Sequence, residues 1–295
     1  MRHLRGLLAL PSNARGVPPR AEKEEGMNDW LHNLPIVWMA VLIFGVTYLI
    51  DLAIFAVVMM LATVERARGF RAASPAMLPP LGILFALFVA FIAAQVLNED
   101  DRAIAAVDRE ASALRAVLIL ATVFPEGPQT RLRTLIRSHI EEAATQEWSS
   151  MAHQTTTLSI ISSHLADALQ YTLALTPSSE GQRVAQREMT IALESALDAR
   201  RQCILISQSQ VGFVKWLCLF VQAVCALFTI ALVHSDNRLA AIIMPIVFAT
   251  GAATCVLLIL SYDWPFIGQL AISPTPLLQV MPEVESVTQT APSHE

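Results

Sequence analysis

The chain has 295 residues, of which 54% are hydrophobic and 15% charged, and its formal net charge is −5. Average soluble domains carry about 25% charged residues, so the composition favours a membrane protein. No basic patch is interleaved with aromatic residues, which argues against nucleic-acid binding.

The first residues of the chain differ from the rest. Residues 1–26 contain five basic residues and three prolines. They contain no apolar run of the roughly 7–15 residues that a signal peptide requires. We expect this segment to be either an extension upstream of a true start at Met27 or a disordered basic tail, and we assign 1–34 to it.

Four stretches reach the roughly 20 apolar residues that a helix needs to cross a bilayer. They predict spans at about 35–62, 79–97, 211–233 and 239–260. A short loop at about 63–77 joins the first two spans, and a polar turn at 234–238 joins the last two. The sequence therefore predicts a first transmembrane hairpin at 35–98 and a second at 211–260.

Residues 99–210 have the polar composition of a water-exposed domain. Apolar side chains at three- and four-residue spacing predict helices, and no segment alternates with period two, so we expect an all-α fold. Residues 261–295 are expected to form an interfacial turn and a tail that is disordered from about residue 282. The helices of the soluble domain are predicted at about 102–123, 129–148 and 156–175, with a fourth that begins near Glu180 and could continue into the third span.

The distribution of Lys and Arg in short loops predicts the orientation of a membrane protein. Counted from Met27, the two hairpin loops hold four basic residues and the flanking termini hold none. This places the loops in the cytoplasm and the large domain on the outer side of the cell membrane. Residues 1–26 add five basic residues to the opposite side and remove the preference, so the orientation depends on the true start.

A carboxylate near the middle of the first span marks one candidate site. Inserting the charge of Asp51 costs roughly 2.5–3.5 kcal/mol, so its side chain should face protein or water. Thr47 and Tyr48 lie four and three positions earlier, on the same helix face. The three residues belong either to an ion or proton path or to a buried polar contact that fixes helix packing, and the packing contact is the commoner case.

A stripe of polar and thiol side chains follows one face of the third span. It either lines an aqueous path or forms the seam against a neighbouring helix, and the seam is favoured because polar side chains join membrane helices. The member nearest the interface could simply extend to water. The stripe consists of Lys215, Cys218, Gln222, Cys225 and Thr229.

Two aromatic residues of the second span, Phe85 and Phe88, could form a hydrophobic constriction in a pore. Such residues more often face lipid or the protein core. Gly82, Ala86 and Ala90 recur at four-residue spacing on the same helix, which predicts close approach of another helix.

The sequence carries no pattern typical of catalysis or metal binding. The four cysteines have no CxxC spacing, and the seven histidines form no HExxH motif. His139 with Glu142, and His164 with Asp167, share helix faces that we expect to be solvated surface. We therefore predict no catalytic residue, no cofactor and no metal.

Six short segments follow one another along the chain: 82–91 (GILFALFVAF), 95–98 (QVLN), 107–114 (VDREASAL), 147–148 (EW), 199–201 (ARR) and 263–268 (DWPFIG). In this order they resemble the bacterial bestrophin-like family, a membrane domain of unknown function. The resemblance covers roughly residues 30–280 and implies four membrane helices. The family's name points to bestrophins, which are pentameric anion channels, so the resemblance implies a homo-oligomeric ion channel embedded in lipid. The alternative is a non-transporting scaffold or sensor whose helical domain binds a partner.

Overall fold

The computed structural model of the protein describes residues 34–61, 64–153, 163–235 and 237–283. Every regular element in these ranges is a helix, which confirms the predicted all-α class for this part of the chain. The segment at 1–26 and the end of the tail lie outside it. The elements are α1 (Ile36–Leu61), α2 (Val64–Ala121), α3 (Glu126–Glu142), a π-helical segment (Ala143–Glu147), α4 (Trp148–Ala152), α5 (Ser163–Ala174), α6 (Glu180–Ser207), α7 (Phe213–Val233), α8 (Arg238–Tyr262) and α9 (Thr275–Gln279).

Four of these helices are long and apolar enough to cross a membrane, as the hydropathy of the sequence predicts. The loop expected at 63–77 is wrong from Val64 onward, because α2 already begins there. Pro79 and Pro80, which lack the backbone N–H of a regular helical hydrogen bond, are exposed in this helix. The apolar segments are Ile36–Met60, Ala76–Ala121, Phe213–Val233 and Leu239–Tyr262.

Helix α2 joins the second apolar stretch to the first helix of the polar region without a break. The apolar face of its first part, which includes Val89 and Val96, continues at three- and four-residue spacing to Val107 and Leu114. The acidic run at 99–101 does not interrupt it, since Asp and Glu can remain helical while their side chains reach outward. One rigid element therefore connects the two regions.

The consecutive helices α7 and α8 pack against each other, whereas α1 and α2 are not among the helix pairs in extensive contact. Helix α1 packs mainly against α8 and also against α7, while α2 packs against α7 and α8. Met39 and Ile43 of α1 contact Ala253 of α8, where small side chains allow close approach. Val89 of α2 and Leu219 of α7 belong to a second apolar cluster.

A separate and larger core fills the helical bundle made by the second part of α2 with α3, α5 and α6. Fully buried side chains from three of these helices meet there, among them Leu114, Ile136 and Leu193. Helix α6 ends at Ser207, and residues 208–212 separate it from α7, so α6 does not continue directly into the third apolar helix.

The segment after α8, which was predicted only as an interfacial turn and a tail, folds back onto this bundle. Phe266 packs edge-on against Trp148 with ring centroids 5.4 Å apart, and Leu277 of α9 is fully buried. The Trp148 indole N–H donates to the carbonyl oxygen of Ile272 at 3.2 Å. Gly268 has a φ of 89°, which permits the turn that returns the chain.

Candidate functional site

Asp51 is buried in the groove between α1 and α8. Its side chain is 7% exposed, and its Oδ1 atom has no hydrogen-bond partner among the described residues. It lines an open cavity of about 390 Å³ whose other walls are mostly apolar, including Leu52, Phe55, Ile242 and Ile246. A buried carboxylate oxygen without a partner is uncommon, so this position calls for a functional or assembly explanation.

The two residues that share a face with Asp51 make separate contacts. The Tyr48 hydroxyl lies 3.0 Å from the Thr250 hydroxyl of α8, which ties α1 to α8 beside the cavity. The Thr47 hydroxyl donates to the carbonyl oxygen of Ile43 in its own helix at 2.7 Å. The structure therefore places Tyr48 and Asp51 at the wall of one cavity. The hydroxyl of Thr47 is hydrogen-bonded within its own helix instead.

The stripe on α7 is divided among different environments. Lys215 is half-buried and bonded to α2, whereas Cys218 and Cys225 are exposed. Gln222 is half-buried, and its Oε1 atom is buried without a partner. The Thr229 hydroxyl donates to the carbonyl oxygen of Cys225 at 2.7 Å. The middle of the stripe thus forms no polar contact with another helix of the described chain.

The two aromatic residues of α2 lie against neighbouring helices of the same chain. Phe85 is 7% exposed, and its ring packs against Phe248 of α8 at a centroid distance of 5.3 Å. Phe88 is half-buried and packs against the same apolar cluster. Within one chain both rings take part in helix packing.

A second group of polar residues lies where the apolar helices meet the bundle. The ammonium group of Lys215 donates to Gln95 Oε1 at 2.5 Å, and the Gln95 amide donates to Glu99 Oε1 at 2.9 Å. The Ser209 hydroxyl donates to the other oxygen of Glu99 at 2.9 Å. These four residues with Asp263, here called the boundary cluster, connect α2, α7, α8 and the 208–212 connection.

Asp263 fixes the start of α7. Its Oδ1 atom accepts a hydrogen bond of 2.8 Å from the backbone N–H of Val211, and its side chain is buried. Burial raises the pKa of the Asp263 carboxyl to about 6, and the Glu99 charge adds to this, while the Val211 N–H and Lys215 oppose it. This carboxyl therefore changes its charge in the weakly acidic range.

Four charged or titratable side chains meet in the centre of the bundle. The Arg200 guanidinium donates from Nε to Glu147 Oε2 at 2.6 Å and contacts the same oxygen through Nη2. Its Nη1 atom lies 3.8 Å from Glu110 Oε2. His139 Nε2 lies 2.7 Å from Glu110 Oε1. Each of these four residues, here called the buried charge cluster, is at most 4% exposed.

The expectation that His139 and Glu142 form a solvated pair is wrong for His139. Its ring is fully buried and bonds Glu110 of α2, whereas Glu142 lies 3.7 Å from His164 of α5 at the surface. The physical reason is the helix period, since His139 falls between Ile136 and Ile140 on the apolar face of α3. That position could have identified it as a core histidine from the sequence.

The π-helical segment positions one acid of the buried charge cluster. Glu147 is the last residue of Ala143–Glu147, and π-helical turns are frequently found at functional sites. Glu110, Glu147 and Arg200 all lie in segments that carry the bestrophin-like resemblance, but none of them was predicted as a site residue. Glu110 and Arg200 lie 90 positions apart in the chain, so sequence spacing does not reveal that they are in contact.

The carboxylates of the cluster favour the charged form of the Arg200 guanidinium, whereas burial favours the neutral form of the neighbouring Cys203 thiol. Burial lowers the pKa of Arg200, but the charges of Glu110 and Glu147 more than offset this and leave its pKa above the ordinary value. Burial, together with the Glu110 charge, raises the pKa of the Cys203 thiol to about 12. Across the described part of the chain, no three His, Cys, Asp or Glu side chains are grouped to hold a metal ion.

The chain matches the family model of the Bestrophin-like domain over residues 35–277. The protein belongs to this family. No curated protein and no solved structure matches it significantly.

The bestrophin-like domain extends over all four apolar helices and over both polar clusters, and it ends at the buried residue Leu277 of α9. The back-folded segment is therefore part of the domain itself. The family assignment and the four apolar helices together indicate a membrane protein in contact with lipid.

Proposed function

We propose that this bestrophin-like protein is a subunit of a homo-oligomeric ion channel in the cell membrane. In this proposal α1 with α2, and α7 with α8, are the two hairpins that cross the bilayer, and residues 99–210 form a water-exposed helical domain. The positive-inside rule, counted from Met27, supports an extracytoplasmic position for that domain.

The observation that carries the proposal is the unpartnered carboxylate oxygen of Asp51 in the middle of an apolar helix. An ionisable group at this depth generally faces a water-filled path or a neighbouring subunit. The cavity beside it supplies the space, and the Tyr48 hydroxyl supplies a second polar group at its wall. A permanently lipid-facing carboxylate would have no comparable stabilisation.

Assembly of several copies is supported by surfaces that a single chain leaves open. Ala86 and Ala90 of α2 are exposed, although four-residue spacing of small residues is typical of close helix contacts. Cys218 and Cys225 of α7 are exposed as well. A second copy packed on α2 or α7 would cover these positions.

The two sources of support favour opposite charges for the transported ion. The resemblance to bestrophins favours anions, whereas a pore lined by Asp51 in its ionised form would favour cations. Chloride and potassium fluxes therefore have to be measured side by side.

The test is flux through liposomes that contain the purified protein. We expect ion release above the level of empty vesicles, and we expect Asp51→Asn to change its rate or its ion selectivity. Thr254→Val is the matched control, since its exposed hydroxyl bonds only the carbonyl oxygen of Thr250 in its own helix. Equal flux and selectivity in the wild type and in Asp51→Asn would contradict the assignment of Asp51 to the path.

The second candidate function is a non-transporting scaffold or sensor. It is favoured by the bundle, whose core is separate from the two apolar clusters of the membrane helices. Absence of flux from folded, inserted protein would favour this function. A fragment of about 100–208 that folds alone and binds a partner would also favour it, whereas a fragment that requires the membrane helices would favour the channel.

A further inference from the structure

The cavity between α1 and α8, which Asp51 lines, has the size of a small-molecule site. Its volume of about 390 Å³ falls within the range of ligand pockets, which is about 300–1,000 Å³. Tyr48, Asp51, Leu52 and Phe55 follow one face of α1 and form its first wall. Most of the lining is apolar, so its few polar atoms determine which ligand the cavity can bind.

The hydroxyl group of Tyr48 has no hydrogen available for a ligand. The Thr250 hydroxyl donates its single hydrogen to the carbonyl oxygen of Ile246 at 2.7 Å. The Tyr48 hydroxyl lies 3.0 Å from Thr250 Oγ1, so Tyr48 is the donor in this second bond. The Tyr48 oxygen is therefore available to a ligand only as an acceptor.

The second wall, on α8, contains a carbonyl oxygen that lacks its helical donor. Pro245 lies inside α8 and has no backbone N–H, so it cannot donate to the carbonyl oxygen of Ala241 four positions earlier. Ala241 lines the cavity, and its own N–H is already bonded to the carbonyl oxygen of Asn237 at 2.8 Å. Ala241 thus contributes an acceptor and no donor.

The polar atoms available in the described lining are therefore all hydrogen-bond acceptors. Asp51 is 7% exposed, and its Oδ1 atom is buried without a partner. A lipid chain can fill an apolar cavity, but it supplies neither a donor nor a charge. An ammonium group supplies both, and aromatic rings such as those of Tyr48 and Phe55 also attract cations. The lining thus fits a ligand that combines an ammonium group with an apolar chain.

We propose that this cavity binds an organic ammonium compound with an apolar chain. The N–H groups of the ligand donate to the Asp51 carboxylate and to the carbonyl oxygen of Ala241. Its chain packs against Leu52, Ile242 and Ile246, whose exposed side chains leave the cavity open on the lipid side. The bound cation occupies the position assigned to the ion path and blocks it. This blocking effect rests on the proposed function, whereas binding itself does not.

Photolabelling of the full-length protein in lipid nanodiscs tests the binding without measuring flux. The probe is octylamine with a diazirine in its chain, and octanol with the same diazirine is the neutral comparison. The amine should label residues within 45–56 or 239–250 at least about tenfold more than the alcohol does, which is the ratio expected from one hydrogen bond to a charged group. An excess of octylamine without the diazirine should remove this labelling.

Two variants assign the labelling to the cavity. Asp51→Asn keeps the size of the side chain but removes its negative charge, so labelling by the amine should fall to the level of the alcohol. Ile242→Phe adds volume at the cavity wall, so labelling by both probes should fall. Thr254→Val is the matched control, because Thr254 lies on α8 outside the lining and its hydroxyl donates to the carbonyl oxygen of Thr250.

Equal labelling by the amine and the alcohol, as expected of a cavity that takes lipid chains, overturns the proposal. It is also overturned if Asp51→Asn keeps the amine labelling of the wild type. A third contrary outcome is loss of the amine labelling in potassium chloride at physiological concentration, since the site would then hold an inorganic cation. Should Asp51→Asn fail to insert, the ratio of the two probes in the wild type and the result for Ile242→Phe still decide.

Failure of this inference and failure of the proposed function give different results. Specific labelling without flux retains the binding site and contradicts the channel, whereas flux without specific labelling retains the channel and contradicts the binding site. Where both are observed, octylamine should block flux through the wild type at concentrations that leave Asp51→Asn unaffected. Equal block of the two proteins would contradict the regulatory role of the cavity.

Discussion

The carboxylate of Asp263, directly after α8, accepts a hydrogen bond of 2.8 Å from the backbone N–H of Val211, directly before α7. This bond joins the end of the fourth apolar helix to the beginning of the third. It satisfies a backbone donor that would otherwise be buried without a partner. The same carboxylate lies near Glu99 and Lys215, so its charge state affects the whole boundary cluster.

Replacing Asp263 with Asn should flatten the pH dependence of stability below neutral pH. The native pKa of about 6 lies above the ordinary value of 3.8, so the folded protein binds this proton more strongly than the unfolded chain. The resulting stabilisation is fully present below pH 3.8 and is lost as the pH rises through about 6, by about 2–3 kcal/mol. Thermal unfolding in detergent at pH 4.5 and 7.5 measures this difference. Asp198→Asn, an exposed position on α6, should leave the wild-type difference unchanged.

Replacing Arg200 with Met should strongly destabilise the bundle. The substitution leaves Glu110 and Glu147 buried without their cation, which typically costs about 3–5 kcal/mol. Denaturant unfolding followed by circular dichroism would show a lower midpoint than in the wild type. The neighbouring Arg201 is exposed, so Arg201→Met provides the control and should change stability little. Equal effects of the two substitutions would contradict the role assigned to the buried charge cluster.

Trp148→Phe should loosen the segment that follows α8. The variant keeps an aromatic ring against Phe266 but loses the hydrogen bond to the carbonyl oxygen of Ile272, worth about 1 kcal/mol. Limited proteolysis should then cut within 269–283 faster than in the wild type. Trp38→Phe is the comparison, since Trp38 is 63% exposed on α1 and should not alter the cleavage rate. An unchanged rate in Trp148→Phe would show that apolar packing alone holds the segment.

Cys203 should resist alkylation in the native protein. Its thiol is buried, and its pKa is raised to about 12, so almost no reactive thiolate is present at pH 7.5. Mass spectrometry after treatment with a maleimide should find Cys203 modified only after unfolding. The same protein unfolded in denaturant provides the comparison, because Cys218 and Cys225 lie on the apolar helix α7, whose exposed face detergent covers. Early modification of Cys203 would mean that α6 opens readily.

The sequence by itself determined the helical class and the four apolar segments, because the length and period of apolar residues are local properties. It also carried the family resemblance that the match over 35–277 bears out. Asp51 could be selected from the sequence because a single carboxylate stands out in an apolar run. The start of α2 at Val64 was not predicted, because 63–77 was assigned to a short loop between two spans.

The tertiary structure alone decided which helix faces meet. It packed α1 against α8, folded the segment after Tyr262 onto Trp148, and brought Glu110 within reach of both His139 and Arg200. These contacts join positions that lie between 29 and more than 200 residues apart. Helical period predicts that a residue lies on an apolar face, but only packing decides which charged residue from another helix meets it there. For that reason the same α3 pattern that predicted a helix could not reveal that His139 bonds Glu110 in its core.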